Sequence, residues 1–100
     1  MIEHLQRLAA AHIQLLPATE ITTHFVFERD GFVTLVERTP QGFGNIGGAG
    51  RVTGKGMAVL VWRGERPFFV AQGFEQEATP TEVEQLRRFS TDVETALGKT

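Results

Sequence analysis

A histidine and a glutamate facing each other across two strands can pass a proton, and glycine-exposed amides beside a cation can hold an anion. This chain has residues for both. His24 and Glu37 stand at equal distances from Asp30-Gly31. A two-residue type I′ turn at that dipeptide would put them opposite one another. Such a pair raises the histidine's pKa and makes it the acid–base candidate. Seven of the eleven glycines fall within 42–56, which marks that stretch as the specialised one, because glycine is used where backbone turns tightly or approaches something closely. Gly44, Gly47, Gly48 and Gly50, with Arg51 and Lys55, are the candidate residues for an anionic ligand.

The familiar glycine motifs fail on context. Gly42 to Gly47 spells GxGxxG, but a dinucleotide fingerprint needs a helix directly afterwards, and Arg51-Val52-Thr53 leads into another strand. Gly54-Lys55-Gly56 lacks both the upstream glycine and the following Ser or Thr of a phosphate loop. A kinase-like glycine loop has no matching lysine in MAVLVW. His4 and His12 are about 80° apart on a helix, not the i, i+4 pair that grips a metal. There is no cysteine or tyrosine, and the one serine, Ser90, lies along a helical segment. No metal and no cofactor are expected.

The elements that must position these residues follow from periodicity. Apolar residues at Ile2, Leu5, Leu8, Ala9, Ile13 and Leu16 predict a helix over 2–16, closed by Pro17. β-branched and aromatic runs predict strands at 21–29 and 32–38 around Asp30-Gly31, and at 57–63 and 66–72 around Gly64-Glu65. Glu75-Gln76-Glu77 reads as a polar loop. Thr79-Pro80-Thr81-Glu82 starts a second helix with a capping box, and Gly98 ends it. Val83, Leu86, Phe89, Val93 and Leu97 form its buried stripe. The fold expected is one α+β domain over 1–100, a four-stranded antiparallel sheet made of two hairpins with one N-terminal and one C-terminal helix.

Both faces of the second hairpin are apolar. Val59, Val61, Phe68 and Val70 share one, and Ala58, Leu60, Trp62, Pro67 and Phe69 the other. Two helices cover one face of such a sheet, so either they lie on opposite sides or one face is an interface. A homodimer is the simplest partner, with Phe43, Leu60, Trp62 and Phe69 as interface candidates. Residues 42–56 then have three readings. They are a connection with Phe43 and Ile46 tucked onto the core, an anion site, or an arm anchored in a partner by Phe43.

Composition narrows the class. A net charge of −2 makes nucleic acid an unlikely partner, although Trp62, Arg63, Arg66, Phe68 and Phe69 interleave in the manner of a single-strand stacking surface. No apolar run reaches the roughly 18–20 residues of a membrane span. The N-terminus lacks the pattern of a secretory signal, so the expected setting is the cytoplasm of a bacterium-like cell. The function expected is a small non-catalytic binding module, homodimeric, that takes a protein partner or a small ligand. The alternative is a small enzyme whose glycine loop holds an anionic substrate beside His24 and Glu37.

Overall fold

The computed structural model describes residues 2–16, 23–53 and 56–98. In chain order these form a helix α1 (Ile2–Ala10), seven strands, and a helix α2 (Pro80–Ala96). The strands are β1 (Gln14–Leu16), β2 (His24–Arg29), β3 (Phe32–Thr39), β4 (Gly42–Thr53), β5 (Gly56–Arg63), β6 (Arg66–Ala71) and β7 (Phe74–Glu77). All pair antiparallel in one sheet, in the order β1 to β7. The α+β class and the two flanking helices agree with the patterning. The strand number does not: the sheet has seven strands where four were expected. β2, β3, β5 and β6 are the four, and each of the other three has a physical origin.

β1 comes from residues predicted to finish the first helix. That helix stops at Ala10 in a Schellman motif, with the His12 N–H on the Ala9 carbonyl at 3.0 Å and the Ile13 N–H on the Leu8 carbonyl at 2.9 Å. His12 takes the left-handed conformation at φ 62°, a position that glycine usually fills, so composition does not flag the stop. Leu8 and Ile13 are both buried, the apolar contact that accompanies this kind of ending.

β7 occupies the expected polar loop. An edge strand pairs on one side only, and charges along it discourage further pairing. Glu75 and Glu77 stand opposite Val70 and Phe68. β4 is the glycine-rich stretch, which is a strand and not a loop. Its register against β3 shifts twice, between Thr34 and Val36 and again between Val36 and Arg38. At each shift β4 uses one residue more than β3, the signature of a β-bulge, and interior strand glycines commonly mark such sites.

The core lies on one side of the sheet. Phe27, Phe32, Val36, Ala58 and Phe69 meet Leu8 of α1 and Leu86, Phe89 and Val93 of α2 in a single buried cluster. Full burial of side chains this size contributes roughly 1.5–3 kcal/mol each. Thr79 and Glu82 form the capping box, and Gly98 follows the last turn at φ 69°. Arg29 ties the layers together: it pairs with Asp92 at 2.9 Å and donates to the Ala11 carbonyl at 3.0 Å. Both helices therefore cover the same face.

Candidate functional site

β4 sorts its side chains by face. Opposite the helix-side residues of β3, Arg38, Val36, Thr34 and Phe32, it presents Phe43, Ile46, Ala49 and Arg51, at spacings of three, three and two that the bulges make possible. Toward the other face it presents glycine. A Cβ on Gly44 would meet the Glu37 carboxylate and Thr39, and one on Gly47 would meet Leu35. One on Gly48 would meet the Val59 methyl at 3.3 Å. Gly50 is different, because its Cβ would fall 1.8 Å from the Ala58 carbonyl oxygen. There the two backbones approach too closely for any side chain. Thr34, fully buried, donates to the Gly48 carbonyl at 3.1 Å and pins the first bulge from the core side.

The helix-free face has an apolar centre and a polar margin. Cross-strand register places Val26 beside Leu35, and Val59 and Val61 beside Val70 and Phe68. Val52, Val59 and Val61 are 51%, 40% and 38% exposed. At the β7 side, Arg63 pairs with Glu75, while Arg66 grips Glu77 through two hydrogen bonds of 3.0 and 2.9 Å. Both guanidiniums sit over the Phe68 ring, 5.2 and 5.6 Å from its centroid. The hydrogen bonds from Arg66 hold the Glu77 carboxyl below the usual carboxylate range, and the same contact raises the Arg66 guanidinium. At the opposite side Gln14 donates to Glu28 at 2.7 Å, and His24 and Glu37 complete the margin.

His24 and Glu37 are opposite residues in the ladder, as the turn requires. Their side chains go elsewhere. His24 Nδ1 lies 2.8 Å from the Thr23 hydroxyl, and no hydrogen bond or ion pair joins the two among the described residues. Glu37 instead lies over Gly44. Arg51 is on the other side of the sheet, ion-paired with Glu82 of α2 and 5.6 Å from the Phe69 ring centroid. Its cation and the His24–Glu37 pair therefore do not share one site. Lys55 lies outside the described residues.

The four interface candidates all belong to the helix side. Phe69 is fully buried in the core. Phe43 packs edge-on to Phe25 at 4.9 Å and to His4 at 5.8 Å, tucked inward as one reading of the glycine stretch expected. Leu60 is partly buried against the core, whereas Trp62 is 55% exposed. Val59 and Val61 belong to the other apolar face of the second hairpin, the one the helices leave open; Val52 was not among the expected residues. No family model, curated protein or solved structure matches this chain.

Proposed function

We propose that the protein is a small non-catalytic interaction module that self-associates as a two-fold dimer through the helix-free face of its sheet. The observation that carries this reading is the arrangement of that face, with exposed valines at the centre and ion-paired or hydrogen-bonded residues around them. Interfaces have this anatomy, a desolvated apolar core inside a polar rim. The scale fits as well. The five inner strands β2 to β6 have at least six residues each, and at about 4.8 Å between strands and ~3.3 Å per residue they offer a face of roughly 500 Å² per copy. Two copies then approach the ~1,000 Å² at which a specific interface becomes plausible. The outer edges favour a face contact: β1 has three residues and β7 four, and short edges limit strand-to-strand growth.

Sedimentation velocity across a wide dilution range tests the proposal. The wild type is expected to dissociate reversibly from dimer to monomer, and Val52→Lys and Val61→Lys are expected to remain folded monomers at all concentrations. A wild type that stays monomeric at the highest concentration overturns it. So does a dimer unaffected by both substitutions.

A further inference from the structure

The β4–β5 ladder is short. It joins Gly50–Thr53 to Gly56–Val59 and goes no further. Beyond it both strands continue, β4 back to Gly42 along β3 and β5 on to Arg63 along β6. Among the described residues, neither of these stretches has a ladder partner on the side where the two diverge. The bulges supply the cause, since each bends β4 away from the line of β5. The sheet thus contains a fork, closed at Gly50–Val59 and open toward the Gly64-Glu65 turn.

The direction of the unpaired groups on β5 follows from its hairpin. A two-residue turn makes Arg63 and Arg66 a hydrogen-bonded pair, and Val61 with Phe68 the next. Trp62 is between them, so its N–H and C=O point into the fork. Beneath the fork, on the helix side, lies a cavity of about 360 Å³. Ala49 and Leu60 line it together with Trp62, Val83, Leu86 and Arg87. It adjoins a larger one of about 540 Å³ that shares Trp62, Val83 and Arg87 and reaches Pro80. The smaller cavity is apolar apart from Ser90 and one charge, Arg87, while the larger one adds Glu65, Arg66, Glu77 and Glu84. Arg87 and Arg88 both lean on the Glu84 carboxylate.

We infer that the fork accepts an extended segment of a partner polypeptide as an added strand alongside Leu60–Arg63, bonded to β5 through the N–H and C=O of Trp62. Backbone pairing supplies affinity in this mode, and alternate side chains supply selectivity. The four residues of β5 set the span, about 13 Å of strand at ~3.3 Å per residue. Side chains on the helix side enter the Trp62 groove between Ala49, Leu60, Val83 and Leu86 and must be apolar. Residues between them point to the helix-free face. A folded domain does not fit, because the fork is closed at one end and floored by α2. The site does not depend on the proposed dimer, so its test uses the Val52→Lys chain.

Amide exchange gives the first measurement. In the free chain the Trp62 N–H is expected to exchange at least about tenfold faster than those of Val61 and Arg63, which face β6. Equal protection of all three means that the fork is closed in solution, and overturns the proposal. The second is selection of a phage-displayed random heptapeptide library on immobilised Val52→Lys protein, counter-screened on the same protein with Trp62→Ala. Enriched peptides are expected to alternate apolar residues, and their synthetic forms to slow the Trp62 amide about tenfold. No enrichment, or enriched peptides that do not slow the Trp62 amide, overturns it. Loss of dimer in the wild type leaves both readouts unchanged, so the two proposals fail separately.

Discussion

The two faces of this sheet are built from the same seven strands and carry apolar side chains on both sides, yet they are packed to different standards. On the helix side Phe27, Phe69, Phe89 and Val36 are at most 1% exposed. On the other side β4 contributes almost no side chain, and Val52, Val59 and Val61 remain in contact with water. The bulges produce this asymmetry. They let a glycine-rich strand turn Phe43, Ile46, Ala49 and Arg51 toward the helices and Gly44, Gly47, Gly48 and Gly50 toward the open face. Alternation alone would have put Gly44 and Ile46 on the same side. Two-faced apolarity in a strand therefore does not mean two cores. Here it means one core and one surface with an uncommitted apolar centre.

The difference is sharpest in the response to truncation. Phe89→Ala removes a fully buried ring from the core and is expected to cost roughly 3–5 kcal/mol, much of the about 5–10 kcal/mol that a domain of this size has. Val61→Thr on the open face is expected to change monomer stability by no more than about 0.5 kcal/mol. Chemical denaturation of both variants at low protein concentration is the check. Similar midpoints would mean that the two faces are equally buried in solution, which the dimer model allows only at high concentration.

A second contrast lies within β4. Gly50→Ala puts a methyl group into the Ala58 carbonyl, and neither backbone can yield without opening the β4–β5 ladder. A loss of about 3 kcal/mol is expected, at the upper end of overpacking costs. Gly48→Ala meets only a Val59 methyl at 3.3 Å, on an exposed side chain that can rotate away. Its cost is expected to stay within about 1 kcal/mol. Thermal unfolding of the two variants decides the point. Equal losses would show that glycine is needed at both positions for backbone conformation and not for the close approach at Gly50.

Much of this architecture is legible in the sequence because local chemistry enforces it. Asp30 and Gly31 take φ of 55° and 87° and fix the first hairpin, including the His24–Glu37 register. Thr79, Pro80 and Glu82 set the start of α2, and its stripe is buried except for Val83, which is partly buried against the core. The misses share a cause. β1 follows a helix stop made with histidine where glycine is usual. β7 is an edge strand whose charges are satisfied by Arg63 and Arg66, two strands of context that no local window contains. β4 resembles a loop because its strand character depends on β3 and β5 holding it. Of the interface candidates, Phe43, Leu60 and Phe69 pack in or against the core and Trp62 stays exposed, because only the placement of both helices on one face decides which of two apolar faces is covered.

The smallest effect concerns the margin of the open face. The hydrogen bonds from Arg66 depress the Glu77 pKa, while the raised Arg66 stays protonated throughout the accessible range. A carboxylate with a lowered folded pKa stabilises the fold above its unfolded value, near about 4.3. That contribution is lost as pH falls through the lower folded value. Both side chains are exposed and their attraction is screened by salt, so the signature is sought in the titration itself. Carboxyl-carbon NMR is expected to give Glu77 a midpoint below the usual carboxylate range, and Arg66→Gln is expected to raise it back. An unchanged Glu77 midpoint in that variant would show that the contact does not persist in solution. The margin around the valines would then be an ordinary solvated rim, and the polar frame would no longer set the open face apart from the helix side.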